Sequence, residues 1–387
     1  METLPARITN PALLDLAGAI LGASPTAALR PRLYAPEFRW ADLIAFAAAQ
    51  DILPPLIWAL RAKFLLLPAP KTLNQEQRAA FITTRLNDAY AAHQTRQDDL
   101  RGQLGTCLAA LNQAGIVPVL LKGCRYLPEP ENHWGSARPM RDIDLLIKPD
   151  HAAAAVRALT GIGYVADAPT GLQHQHLPEL RLAGHHGLVE LHTDALAPAG
   201  AKLLPTAVVW EKAAPITVAG HAALALPPAW QALHCLLHHQ ASDDGYNQRT
   251  LALKPLWEFS CLAGPLDLAD WAALTMQMAQ DDGADLLASW CLQARQVFGL
   301  KLPSAVQVSP AALAQAAACF NEAAQPAPRR RARFILRQLR RGFSSEMLAL
   351  RYGKPPGEVG LALRARHLWF LLRRYRGSLS ARLLGHS

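Results

Sequence analysis

Strand-forming text is scarce in this chain, and its placement limits what the chain can fold into. Two short apolar runs stand out, Ile116-Val117-Pro118-Val119-Leu120-Leu121 and Asp142-Ile143-Asp144-Leu145-Leu146-Ile147. Two more follow at Glu179–Ala183 and Leu188–His192, with an Ala-rich helical pattern, His151–Thr160, set between. Runs this short, bounded by Gly and Pro, read as buried strands. The rest of the 387 residues is rich in Ala and Leu at helical spacing. The expected fold class is therefore α+β, a small mixed β-sheet flanked by N-terminal and C-terminal α-helical regions. With 51% hydrophobic and 18% charged residues, the chain is neither disordered nor fibrous.

The organisation follows from breaks in these patterns. Four or so helices are expected between Pro11 and Arg96, interrupted at Pro36, Pro54-Pro55 and Pro68–Pro70, and a further helix over Ala91–Ala114 ends at Gly115. Beyond Pro205 the text reads as mainly helical, with a Pro-containing linker over Gln325–Pro328. The expected regions are thus a helical one over 1–98, a core over 99–204, a helical domain over 205–328 and a basic helical tail over 329–387. The tail carries fifteen Lys/Arg against two acids, net +13, so the overall +9 leaves −4 for residues 1–328.

The chemistry gathers in the strand-rich third. Asp142 and Asp144 are two apart on an expected strand, so both carboxylates project from one face, a divalent-cation site awaiting a third ligand. Glu190 lies in the apolar run Leu188-Val189-Glu190-Leu191, where a lone acid is costly unless paired or metal-bound, and it is the expected third ligand. Lys122-Gly123 directly follows a buried strand, where Gly lets the backbone approach a phosphate and Lys adds a point charge. Arg138 and Arg141 flank the approach to Asp142, and guanidinium forks suit triphosphate oxygens. His192, two residues after Glu190 and on the same strand face, either contacts a nucleotide or orders Glu190.

These motifs resemble the uncharacterised nucleotidyltransferases related to the DNA polymerase β superfamily. The matching text is Leu120-Leu121-Lys122-Gly123, Arg138-Pro139-Met140-Arg141-Asp142-Ile143-Asp144-Leu145-Leu146-Ile147, Gly163-Tyr164, His174-x-His176 and Val189-Glu190-Leu191-His192. Flanking helices at Trp40–Leu60 and Leu233–His239 extend the resemblance over roughly residues 10–262. It implies a polymerase-β-like core and transfer of a nucleotide from an NTP donor with loss of pyrophosphate. It also implies two Mg²⁺ ions, with Mn²⁺ as the alternative, held by Asp142, Asp144 and Glu190. Two departures stand out. Lys122-Gly123 replaces the superfamily's Gly-Ser pair, 19 residues before Asp142, and Glu258 in Leu256-Trp257-Glu258-Phe259 stands where the family often has Asp.

The acceptor is not legible in the sequence: a small molecule, a sugar, a peptide or phosphopeptide, a protein and an RNA end all remain open. A second reading, from another class, is an inactive nucleotide-binding or scaffold module whose basic tail binds RNA, anionic lipid or a protein; three intact acids argue against it. Arg329–Arg337 and Arg364–Arg376 mix Arg with Leu, Phe and Trp, and suit either a solvated basic face, an anionic membrane surface, or RNA and phosphorylated substrates. His234 and His238 have zinc-compatible spacing but lack a third ligand. Six scattered cysteines without a C-x-x-C pair, and an N-terminus without an apolar leader, fit a reducing cytoplasmic setting, with peripheral membrane contact through the tail as a further option. The longest apolar runs fall well below the roughly 18 residues of a membrane span. P-loop, Rossmann and G-x-S-x-G motifs are missing from suitable contexts.

Overall fold

The computed structural model describes residues 8, 10–66, 73–166, 177–279 and 283–370. The chain forms two compact units, Met1–Ala324 and Gln325–Ser387. The first unit is α+β, as expected, with many helices and one mixed seven-stranded sheet. Its strands are β1 (Val119–Leu120), β2 (Asp142–Leu146), β3 (Val165–Ala166), β4 (Leu180–Arg181), β5 (Leu188–His192), β6 (Ala214–Val218) and β7 (His221–Ala225). They lie in the order β3-β4-β5-β2-β1-β7-β6. β2 runs parallel to β5 in a register that pairs Asp144 with Glu190, and β1 runs antiparallel to β2 and parallel to β7.

The N-terminal helices start where local chemistry favours it. Asn10 caps Pro11–Leu21 by accepting the Ala12 and Leu13 N–H groups, with Pro11 in the first turn, where a missing N–H costs nothing. Pro54 and Pro55 likewise open the helix Leu53–Ala62, so the break falls just before them. The helix expected over Ala91–Ala114 reaches back to Leu73 and runs 41 residues to Gln113. Its Ile82, Leu86 and Tyr90 belong to one hydrophobic core, and its Leu100, Leu104, Leu108 and Leu111 to a second.

Period-two alternation divides the central strands between the two sides of the sheet. Ile143, Leu145, Val189 and Leu191 are buried against the helix Leu73–Gln113 in the second core. Asp142, Asp144, Glu190 and His192 occupy the alternate positions, and Leu146 on that side belongs to the first, helical core. The acids thus face the helical mass built on the sheet.

The reading of the text beyond Pro205 as mainly helical needs one correction. β6 and β7 form a hairpin that completes the sheet, turning through Ala219 (φ 49°) and Gly220 (φ 81°). Two successive residues with positive φ are what a type I′ turn requires, but Ala-Gly lacks the usual Asn-Gly or Asp-Gly pattern. Pro215 is tolerated because β6 lies at the sheet edge. In the second unit, the Arg-rich helix Ala327–Gly342 leaves Ile335 and Leu336 exposed, as is Trp369 farther on. Among the described residues no helix is long and apolar enough to cross a membrane. His174, His176 and residues 371–376 of the basic tail lie outside the described residues.

Candidate active site

Asp144 sits at the centre of the polar face. Its carboxylate is buried, and its Oδ1 accepts from Lys122 Nζ at 2.6 Å and from His192 Nε2 at 2.9 Å. Glu190 Oε2 lies 3.4 Å from the same imidazole nitrogen and 4.0 Å from the same ammonium. Ligand atoms of Asp144, Glu190 and His192 all lie within 4.8 Å of one another, a group able to hold a metal ion. The two carboxylates are hard oxygen donors of the kind that Mg²⁺ and Mn²⁺ take, while the imidazole is a donor shared by many divalent metals, so the set can hold a divalent cation without selecting one. Asp142, at the start of β2, stands outside that triad on the same strand face.

The backbone around the triad is set by β1 and the turn that leaves it. Leu121 N–H donates to Asp144 O, and the Asp144 N–H donates to Cys124 Sγ at 3.0 Å. Lys122 itself has φ 50°, a left-handed conformation unusual for a side-chain-bearing residue, and it opens the 3₁₀ turn Lys122–Tyr126. Backbone strain of this kind is kept where surrounding structure over-determines it.

Charge balance within the cluster is uneven. Burial alone would raise the Asp144 carboxyl, but the Lys122 charge and the His192 hydrogen bond outweigh it and hold the group well below the usual range. Lys122 and His192 are correspondingly raised, burial being overcome by Asp144 and Glu190. Asp142 has less relief: burial, then Glu190, then Asp144 outweigh the Lys122 charge and push its carboxyl up to about 6.

Three residues expected near phosphate occupy different surroundings. Arg138 is largely buried and its Nε donates to Glu258 Oε2 at 2.6 Å, while Gln97 Nε2 donates to the Arg138 carbonyl. Glu258 is thus the partner of that arginine. Gly123 lies beneath the same guanidinium: a Cβ there would stand 2.2 Å from Arg138 Nη1 and 2.6 Å from Met140 Sδ. Arg141 is exposed at the entrance to β2, where its carbonyl accepts the Leu188 N–H.

A segment without a motif borders the cluster. After the helix Pro228–Leu237 comes a π-helical turn, His238–Ser242, followed by Asp243, which lies 3.2 Å from His238 Nδ1 and adds its negative charge to those acting on Lys122. π-turns recur at functional sites, but Ser242-Asp243-Asp244-Gly245 reads in sequence as an ordinary turn. His234, one turn earlier, donates from Nε2 to Ala195 O at 3.1 Å, and so has a structural partner. Burial, with help from His238, lowers it to about 3.

That lowered value has a measurable consequence. The folded chain keeps His234 neutral while the unfolded chain protonates it near 6.5, so its contribution is complete above pH 6.5 and declines as the pH falls toward 3. Each pH unit in that window costs up to about 1.4 kcal/mol. His234→Gln, which keeps an N–H for Ala195, should flatten the fall in melting temperature between about pH 6.5 and 5. An unchanged slope would remove His234 from the account.

A family model describing uncharacterised nucleotidyltransferases matches residues 36–299, covering the whole sheet and both flanks of the acid cluster. The chain belongs to that nucleotidyltransferase family. No curated protein and no solved structure matches it. The family match spans the two residues of the Arg138–Glu258 pair as well as the metal-capable triad, so both fall within the nucleotidyltransferase region rather than in an added domain.

Proposed function

We propose that the chain is a Mg²⁺-dependent enzyme that moves a nucleoside monophosphate from an NTP to an acceptor. The observation that carries this reading is the convergence of Asp144, Glu190 and His192 beside Lys122 on one face of a nucleotidyltransferase sheet. Asp142, Asp144 and Glu190 would hold the ions, with His192 ordering both Asp144 and Glu190. Divalent ions there would neutralise triphosphate charge and activate the acceptor oxygen. Lys122 and the exposed Arg141 are the cations assigned to the triphosphate; Arg138 and Gly123 shape the loop that presents them. The acceptor oxygen bonds to the α-phosphorus, and the bond from that phosphorus to the α,β-bridging oxygen breaks. Pyrophosphate leaves with the electron pair, and the acceptor hydroxyl's proton passes to the acid cluster. Chemistry of this type asks for positioning and charge rather than a nucleophilic Ser or Cys.

The acceptor is left unassigned, and the basic tail is given a partner of its own. The net charge of +13 on residues 329–387, together with the exposed Ile335, Leu336 and Trp369, supports an anionic partner such as RNA, a phosphopeptide or an anionic membrane surface.

Calorimetry and thermal shift with ATP, GTP, CTP and UTP in Mg²⁺ test the reading. One nucleotide should bind the wild type and stabilise it by about 2.7 kcal/mol at a hundred times its Kd. Asp142→Asn/Asp144→Asn should lose that response. A folded wild type that binds none of the four would overturn the reading and leave the scaffold alternative, whose partner the basic tail would have to supply.

A further inference from the structure

A cation of the chain's own already sits against the metal-capable acids. Lys122 Nζ lies 2.6 Å from Asp144 Oδ1 and 4.0 Å from Glu190 Oε2, and Asp144 and Glu190 are both members of the metal-capable group. The lysine is held there by construction. Its left-handed backbone directs it from the end of β1, its side chain is 21% exposed, and Asp243 adds a further negative charge nearby. An ammonium on Asp144 Oδ1 opposes a divalent cation at the same carboxylate, because like charges so close repel strongly in a partly buried site. Without Lys122, the folded chain would carry a buried Asp144 beside Glu190 and Asp142, with His192 hydrogen-bonded to it.

We propose that Lys122 is a tethered counter-ion: it occupies the acid cluster until a triphosphate draws it away, so that divalent cation and NTP bind as a coupled pair. This rests on the nucleotidyl-transfer reading above and adds the order of events to it. The lysine stem is flexible and its charge is compact, so the ammonium can exchange a carboxylate for a phosphate within its own reach. A metal arriving alone must bind against the ammonium's charge or displace it with no new partner for it. A triphosphate arriving alone must compete with Asp144 for the same ammonium. Together, each removes the obstacle to the other, a reciprocal coupling in the usual range of roughly 5- to 150-fold.

Two comparisons on the full chain test this. Mn²⁺ alone, titrated by calorimetry, should bind Lys122→Met at least about tenfold tighter than wild type. Inorganic tripolyphosphate in EDTA, a probe independent of base identity, should bind Asp144→Asn several-fold tighter than Asp142→Asn. Both variants remove one negative charge from the same strand face, but only the first releases the lysine. Equal Mn²⁺ affinity in wild type and Lys122→Met overturns the proposal. So does equal tripolyphosphate affinity in the two Asp variants, which decides the matter even where Lys122→Met fails to fold. A wild type that binds neither Mn²⁺ nor Mg²⁺–NTP overturns the nucleotidyl-transfer reading as well, whereas wild-type binding of Mg²⁺–NTP with unchanged variants overturns the counter-ion alone.

Discussion

Arg138→Ala is expected to destabilise the chain by about 3–5 kcal/mol, since truncating one partner of a buried pair strands the other charge. Glu258 is only 4% exposed at its side chain, and the Arg138 Nε–Glu258 Oε2 contact at 2.6 Å is its ion pair. At roughly 2 °C per kcal/mol for a chain of this size, the melting temperature should fall by about 6–10 °C. Glu258→Ala should cost a similar amount, and Arg138→Met/Glu258→Leu should recover much of the loss, because an apolar pair needs no compensating charge. A double-mutant cycle checks this: a coupling energy below about 1 kcal/mol would show that the two groups stabilise the fold independently. The variant should also disturb the site at a distance, since the guanidinium is what Gly123 lies against.

Asp142→Asn is expected to do the opposite, stabilising the fold while removing its nucleotide response. With its carboxyl pushed up to about 6 from 3.8, Asp142 holds a proton longer in the folded than in the unfolded chain. Folding stability therefore declines as the pH rises from about 4 through 6, by at most roughly 3 kcal/mol and by less once solvent screening of this partly exposed carboxyl is counted. Replacing the carboxylate by an amide should return most of that at about pH 7.5, raising the melting temperature in EDTA by up to about 5 °C, and should change little at about pH 4. Burial of Asp142, with repulsion from Glu190 and Asp144, thus costs the fold stability at neutral pH. Thermal unfolding of the variant and the wild type at the two pH values gives the answer. An Asn variant no more stable than wild type at the higher pH would mean that the charge of Asp142 is already balanced.

Much of this arrangement is legible in the sequence, and the exceptions have definite causes. β2 and β5 can be read because their apolar residues alternate or run unbroken between Gly and Pro, and period two then puts Asp142 with Asp144 and Glu190 with His192 on shared faces. The β6–β7 hairpin is hidden by Ala-rich text and by an Ala-Gly turn, whose residues say little about φ until the strands beside them are known. Long-range partners are hidden for another reason. Arg138 and Glu258 are 120 residues apart and Lys122 and Asp144 are 22 apart, so sequence pattern can assign each a type of chemistry but not the group that claims it. A lysine or arginine beside acids reads equally as a phosphate ligand or as an internal counter-charge. Geometry separates the two.

The long helix Leu73–Gln113 imposes a rule on how this chain can vary. Tyr90 contributes to one hydrophobic core and Leu100 to the other, and only helical backbone joins them. Each added residue between them turns everything downstream by about 100° and advances it about 1.5 Å. A single insertion would therefore swing Leu100, Leu104, Leu108 and Leu111 away from the sheet, whereas four would return them to within about 40°. The two cores are locked in phase, and the spacer between them can lengthen or shorten only in steps close to a whole turn.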